Sequence, residues 1–343
     1  MAQIVRPDSP ERATSYDVAQ RAGVSQSAVS RCFKPGASAS AKMRARVKRV
    51  ARELGYSPNA IARSLITRRS NLVAILISNL TNLYYPEVLS ELSQQFSLRG
   101  IRVLLFTLQH ESDVDETLEQ VWQYQVDGVI AAARLSVPQV DMFAKRGTPL
   151  VFYNRYLVER PVSAVCCEQF DGARLLVSRL AAAGHRKFGI ISGPEDSVVG
   201  QERTRGAVRR LRELKLPAAA IVEGSYDYAS GASGLRAIVQ QLGGAPDAVV
   251  CGNDVMAIGC IDVARYELKL NVPRQISVVG FDGVAPSTWA SYRLTTLRQP
   301  VQQMAEAAAS MLIARIGVPE VLPEKRVFTA QFIEGASARL GSF

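Results

Sequence analysis

The chain has 343 residues, of which 41 are Lys or Arg and 31 are Asp or Glu; its formal net charge is +10 and 48% of it is hydrophobic. That length anticipates two or three domains, and that apolar fraction supports buried cores, which excludes a disordered or low-complexity chain. No apolar run approaches the ~20 residues needed to span a bilayer, and the N-terminus carries no apolar signal segment, so a membrane protein and a secreted precursor are excluded and a cytoplasmic protein is expected.

The charge is uneven. Residues 1–70 hold 14 of the basic residues but only 4 of the acidic ones, and the remainder holds 27 of each. A basic block confined in this way calls for a polyanionic partner. A solvated basic tail is the plain alternative, and the pattern inside the block argues against it. The five cysteines (Cys32, Cys166, Cys167, Cys251, Cys260) contain no C-x-x-C pair, and His110 and His185 are the only histidines. No zinc spacing can be built from them, so reduced thiols, no metal and no cofactor are expected.

Tyr16 to Ala22 reads as a short helix, with Thr14 or Ser15 as N-cap and Val18, Ala19 and Ala22 on one face. Gly23 supplies a tight turn and Ser25 caps a second helix, Gln26 to Phe33, whose inward residues are Ala28, Val29 and Cys32. This is a helix-turn-helix. Ser40 caps a third helix, Ala41 to Leu54, with Val47, Val50, Ala51 and Leu54 inward and Lys42, Arg44, Arg46, Lys48, Arg49 and Arg52 on the other face. The stretch Asn59 to Leu65 is amphipathic but too short to be a stable isolated helix.

From Asn71 the pattern becomes β-α-β-α. Strands are expected at Leu72–Ile77, Ile101–Thr107, Gly128–Ala132 and Leu150–Tyr153, with helices near Tyr85–Arg99, Val114–Gln125 and Val137–Arg146. A second series runs from a helix at Phe170–Ala183 through strands at Phe188–Ser192, Ala220–Glu223, Ala248–Cys251 and Ser277–Phe281. Its helices are expected near Glu202–Leu214, Ala229–Gln241 and Val255–Tyr266. Such alternation gives doubly wound parallel sheets, here two Rossmann-like lobes. Ligands in such folds bind beyond the carboxyl ends of the strands. No G-x-G-x-x-G and no P-loop follows the first strand, and neither histidine sits in a nucleophilic arrangement, so no catalytic residue is expected. His185, in AAAGHRKFGII, reads as a polar turn residue.

The run TSYDVAQRAGVSQSAVSR at Thr14–Arg31, followed by GYSPNAIARSL at Gly55–Leu65, resembles the head of the lactose/galactose repressor (LacI/GalR) family of bacterial transcription regulators. The runs DGVI at Asp127, AAAGHRKFGIISGP ending at Pro194, CGNDVMAIG at Cys251, ISVVGFDG at Ile276 and LTTLRQP at Leu294 extend the resemblance over nearly the whole chain. It implies an α-helical helix-turn-helix head, residues 1–57, and a hinge helix and linker, residues 58–70. An α/β core of two lobes, similar to periplasmic sugar-binding proteins, would occupy residues 71–343. Its N-lobe would take about 71–165 plus 299–322 and its C-lobe about 166–298 plus 323–338.

The resemblance also implies roles. Gln26, Ser27 and Arg31 match base-reading positions, in keeping with Arg on guanine and Gln on adenine. Tyr16, Ser30 and Asn59 match backbone-contacting positions, and Ser25, the cap of the second helix, is counted with the DNA-binding residues. Ala62 and Leu65 belong to the hinge, and Leu65 holds the place of a leucine that wedges into the minor groove. The cleft positions carried over are Tyr84, Tyr85, Asn154, Arg203, Tyr226, Asn253, Asp282 and Gln299. A carboxylate, an arginine, amides and aromatic faces suit a small hydroxylated ligand; Asn253 has the alternative of capping the following helix.

Three departures reduce polarity on one side: Cys167 where Asp or another polar residue is common, Ala132 for a polar side chain, and Val199 for Ser or Thr. Arg155 and Arg203 together point to an acidic ligand such as a sugar acid. The implied protein is a homodimer on a pseudo-palindromic double-stranded DNA operator, since no leucine-heptad tail follows Gln331. A sugar-binding protein or sugar-modifying enzyme with a basic arm is the alternative, and an architectural nucleic-acid binder a further one.

Overall fold

The computed structural model describes residues 13–34, 36–58, 69–78, 80, 82–108, 114–217, 219–318 and 320–341. The chain divides into two units, Met1–Ser70 and Asn71–Phe343.

In the first unit Thr14 starts helix α1 (Ser15–Ala22) with a reciprocal cap. The Thr14 hydroxyl accepts from Asp17 N–H and the Asp17 carboxylate accepts from Thr14 N–H (2.7 Å), so two orphan donors are satisfied at once. Gly23, at φ +62°, makes the turn. The Ser25 hydroxyl accepts from Ala28 N–H (3.2 Å) and starts α2 (Gln26–Phe33). Ser40 does the same for α3 (Ala41–Glu53) by accepting from Met43 N–H (3.2 Å). Val18, Ala19, Ala22, Val29, Cys32, Val47, Val50 and Ala51 close one small core among the three helices.

The second unit is built on two parallel sheets. The first lobe comprises β1 (Leu72–Ser78), α4 (Tyr84–Ser97), β2 (Arg102–Leu108), α5 (Val114–Gln123), β3 (Gly128–Ala132), α6 (Val137–Arg146), β4 (Leu150–Tyr153) and β5 (Ala164–Cys167). The second comprises α7 (Phe170–Ala182), β6 (Phe188–Ser192), α8 (Val198–Glu213), β7 (Ala220–Glu223), α9 (Tyr228–Leu242), β8 (Ala248–Cys251), α10 (Asp254–Asp262) and β9 (Ser277–Val279). The chain then runs through β10 (Thr296–Arg298), returns as α11 (Val301–Gly317) and β11 (Lys325–Phe328), and ends beyond β12 (Gln331–Ile333). Strand order is β11-β5-β4-β3-β1-β2 in one sheet and β7-β6-β8-β9 in the other, with β10 and β12 forming a separate antiparallel pair.

The inner strands of each sheet are buried on both faces, which is why β1, β3, β4 and β8 read as unbroken apolar runs, while the edge strands β2, β7 and β11 are partly exposed. Along β1, Val73, Ile75 and Ile77 enter a core shared with α4 and α11, while Ala74 and Leu76 enter one shared with α5 and α6.

The structure corrects the sequence expectation in several places. Strand β5 lies across the expected lobe boundary, and β11, assigned above to the second lobe, pairs with β5 in the first. Helix α8 begins at Val198 rather than near Glu202, because the Ser197 hydroxyl caps it. Helix α10 ends at Asp262 and continues as a π-helical turn over Val263–Glu267. The stretch after Gln331 packs against the second lobe. Ser337 is fully buried, accepts from Thr295 N–H (2.9 Å) and donates to the Val278 carbonyl (2.6 Å).

Helices α9 and α10 meet through glycine on both sides. A Cβ on Gly231 would lie 2.1 Å from the Met256 carbonyl oxygen, and one on Gly259 would lie 2.2 Å from that of Tyr228. Backbone cannot swing aside as a side-chain tip can. Gly231→Ala should therefore destabilise the core by about 1–3 kcal/mol or more, read as a lower urea midpoint; an unchanged midpoint would contradict this packing.

Candidate functional site

In the first unit the face of α2 that the core does not use is exposed and polar. Gln26, Ser27, Ser30 and Arg31 are all exposed there, and Tyr16, on α1, is 72% exposed. The Gln26 amide donates to Ser15 Oγ (3.3 Å), tying the start of α2 to α1. Ser25 is committed to capping, with its hydroxyl also 3.0 Å from that of Ser27. Asn59, Ala62 and Leu65 lie outside the described residues.

Arg44 departs from expectation. It is not part of a free basic face: its guanidinium reaches back to the carbonyls of Cys32 (2.9 Å), Lys34 (3.3 Å) and Ala37 (3.0 Å).

In the second unit all eight candidate cleft residues are buried. They gather where strands end, and three of them (Asn154 at φ +50°, Tyr226 at +61° and Asp282 at +111°) hold left-handed backbone. Non-glycine residues adopt such angles at a cost that surrounding contacts must offset.

Five of the eight form one hydrogen-bonded chain between the lobes. Asn154 Nδ2 donates to Tyr84 Oη (3.1 Å) and to Gln299 Oε1 (2.7 Å). Gln299 Nε2 donates to Asp282 Oδ1 (2.7 Å), and Arg203 Nη2 donates to the same oxygen (2.8 Å). Arg203 also gives Nε to Gln169 Oε1 (2.7 Å) and Nη1 to the Gly252 carbonyl, and it lies 3.7 Å from the centre of the Phe281 ring. Tyr85 joins through its ring, edge-on to Tyr84, and through Arg155 Nη2 at 3.5 Å from its hydroxyl.

Tyr226 bonds Ser197 Oγ (2.9 Å). Asn253 is a helix cap: its Oδ1 accepts from Met256 N–H (2.9 Å) and its Nδ2 donates to the Tyr226 carbonyl (3.0 Å). Both ends of that amide are engaged and the residue is fully buried, so its part is to hold Tyr226 and α10.

Sequence reasoning missed Gln169, Ser197, Phe281 and Asp254. Gln169 follows β5, a strand only four residues long, and nothing local marks its amide as the partner of Arg203. Two small cavities flank the chain. One, of about 130 Å³, is lined by Arg134, Arg155, Tyr156, Ser197 and Tyr226 among others; the second, of about 80 Å³, by Asn154, Cys167, Gln169, Val199 and Glu202 among others. Burial pushes the Cys167 thiol up to about 12, so it is a neutral wall and not a nucleophile. Among the described residues no cluster of His, Cys, Asp and Glu is placed to hold a metal ion, and no helix is long and apolar enough to cross a membrane.

Burial also raises the Asp282 carboxyl, and the Arg203 charge opposes that rise. Asp254, fully buried, accepts from Val284 N–H (2.8 Å) and from the Thr296 hydroxyl (2.5 Å), which ties the Asp282 turn to β10. Burial, and next the neighbouring Asp282 charge, push the Asp254 carboxyl up to about 8 from an ordinary 3.8. The folded value lies above the unfolded one, so folding takes up a proton between them. This group's stabilisation is complete at acid pH and is lost as pH rises through about 8. The urea midpoint should fall between about pH 5 and about pH 8.5, with a flatter profile in Asp254→Asn; the same slope in both proteins would contradict the assignment.

An exposed polar helix on a three-helix unit, joined in one chain to a two-lobed core with a buried polar cleft, is the architecture of a ligand-responsive DNA-binding regulator. Residues 14–59 match the model of the bacterial regulatory proteins of the lacI family, and residues 177–338 match that of a periplasmic binding protein-like domain. The ribose operon repressor of Haemophilus influenzae is 29% identical over 310 residues, 90% of this chain and 93% of its own length. The transcriptional repressor PurR of Escherichia coli O139:H28 is also 29% identical, over 96% of this chain and 98% of its own. Among solved structures, the lac repressor dimer bound to operator and an anti-inducer superposes with TM-score 0.86 at 25% identity, covering 95% of this chain and 99% of its own. The transcriptional regulator CelR in complex with cellobiose gives 0.73 at 28%, covering 95% and 100%. The chain thus carries a lacI-family helix-turn-helix domain followed by a periplasmic-binding-protein-like domain.

Proposed function

We propose that this protein is a transcription repressor that binds a specific operator in the cytoplasm, with no enzymatic activity, and is controlled by a small metabolite held between the core lobes. The observation that carries this reading is the buried chain Tyr84–Asn154–Gln299–Asp282–Arg203, which links the two lobes through polar groups that a hydroxylated ligand can replace one for one. Residues 1–57 serve as the reading head and 58–70 as the hinge, with Asn59, Ala62 and Leu65 in the roles their positions imply. Gln26, Ser27 and Arg31 read bases; Tyr16 and Ser30 contact phosphates, and Ser25, which caps α2, presents them. Tyr85 and Tyr226 supply ring faces to the ligand.

The charge balance of the cleft changes the ligand expected. Arg203 is matched by Asp282 at 2.8 Å, so it brings no surplus charge. Arg134, beside the larger cavity, likewise has Asp196 at 3.9 Å, and Asp282 with its amides favours vicinal hydroxyls. We place a neutral sugar ahead of a sugar acid.

Two copies act together, each reading half of a pseudo-palindrome. Supporting a homodimer, each lobe exposes large apolar side chains: Leu98 (74%) and Leu105 (43%) on the first, Tyr266 (69%) and Trp289 (58%) on the second. Sedimentation at micromolar concentration should give a dimer; a monomer would contradict this, and a tetramer would show that more than this surface associates.

The direct test is selection of duplexes from a random pool, then gel shift of the selected duplex with and without D-ribose, cellobiose and D-gluconate. A selected palindrome-like sequence is expected, and Arg31→Ala should weaken binding to it by roughly ten- to a hundredfold while relaxing base choice. Failure to enrich any sequence would favour a sugar-binding protein with a basic arm.

A further inference from the structure

Helix α2 is only eight residues long, and a helix of two turns is not stable by itself in water. Its last carbonyls have no partner within the helix. In this protein the start of α2 is capped by Ser25 and its end is held by Arg44, which comes from α3. The guanidinium donates from Nη1 to the carbonyls of Cys32 and Lys34, at 2.9 and 3.3 Å, and from Nη2 to that of Ala37 at 3.0 Å. The first two belong to the end of α2, and the third to the turn that leads on to α3. A cation at a helix C-terminus also meets the negative end of the helix dipole. Among the described residues, no carboxylate pairs with Arg44.

We propose that Arg44 is a positioning residue for sequence reading: it fixes the C-terminal half of α2, and with it Arg31, and is not one of the residues that neutralise DNA phosphates. The inference rests on α2 being the base-reading helix. One of the head's basic charges is then spent inside the head. Its geometry explains the residue type, since three carbonyls on two sides need the fork of donors that only arginine offers. Lysine at the same place reaches a carbonyl with a single ammonium and keeps the charge near the helix end.

The two roles make opposite predictions. A lost phosphate contact weakens all sequences alike and lowers the salt slope of binding by about 0.9. A lost positioning residue weakens the specific site and leaves binding to random DNA, and its salt slope, as they were. The test compares full-length wild type, Arg44→Met and Arg44→Lys on two labelled duplexes of equal length. One duplex is selected from a random pool by the wild type and the other has random sequence. Affinities are measured between about 50 and 200 mM KCl.

For Arg44→Met we expect a loss of roughly tenfold or more on the selected duplex and less than about twofold on the random one, with an unchanged salt slope. Arg44→Lys should fall between Met and wild type on the selected duplex. Equal losses on both duplexes, with the slope reduced, would make Arg44 a phosphate contact and overturn the proposal, and so would no loss on either. If Arg44→Met loses helical circular dichroism, Arg44→Lys alone decides by the same comparison. A wild type that selects no sequence would overturn the reading of α2 and the proposal together.

Discussion

A buried carboxylate must be neutralised or hydrogen-bonded, and the core of this protein is arranged around one such group. Asp282 is 4% exposed and sits at φ +111°, where an L-residue is strained. Its Oδ1 receives hydrogen bonds from Arg203 of the second lobe and from Gln299, which lies where the chain crosses back to the first. The other end of Arg203 is held by Gln169, at an earlier crossing of the chain between the lobes. Lobe geometry and the charge balance of the cleft are thus the same problem. A ligand that takes over either bond to Asp282 changes what connects the lobes. Beside this group burial, and next the Asp282 charge, raise a second carboxyl, that of Asp254.

This arrangement is polar where most of the core is apolar, and that has an energetic meaning. Breaking a buried ion pair by removing one partner costs about 3–5 kcal/mol, because the remaining charge is stranded. Replacing its hydrogen bonds by those of a ligand hydroxyl strands nothing. The cleft is therefore intolerant of deletion but permissive of exchange. Stiffness is supplied elsewhere, by parallel strands buried on both faces and by the glycine contacts of α9 and α10.

Much of this was legible in the residues, and the reasons for the rest are physical. Strands β1, β3, β4, β6 and β8 announce themselves as apolar runs between turns, and the head announces itself through Thr14, Gly23, Ser25 and Ser40, whose caps act within three residues in sequence. What sequence missed depends on distant partners. Strand β5, AVCC, is too short to show a period, and β11, KRVF, is exposed along most of its length and becomes a strand only by pairing with it. Arg44 reads as one more charge on a basic face until the carbonyls of Cys32 and Ala37 are brought to it. Asn253 fits both a ligand contact and a cap, and only its two engaged atoms decide for the cap. Arg203 reads in the sequence as a free charge facing the cleft, and only the fold brings Asp282 to it at 2.8 Å.

The central claim is that occupancy of the cleft and occupancy of the head are energetically coupled. Coupling free energy is reciprocal, so a ligand that changes DNA affinity by some factor must have its own affinity changed by DNA by that same factor. The most direct measurement is calorimetric titration of a cleft ligand into the protein alone and into the protein saturated with its selected duplex. The account predicts two different dissociation constants, whose ratio equals the ratio of DNA affinities measured with and without that ligand. Identical ligand affinity in the two titrations would contradict it.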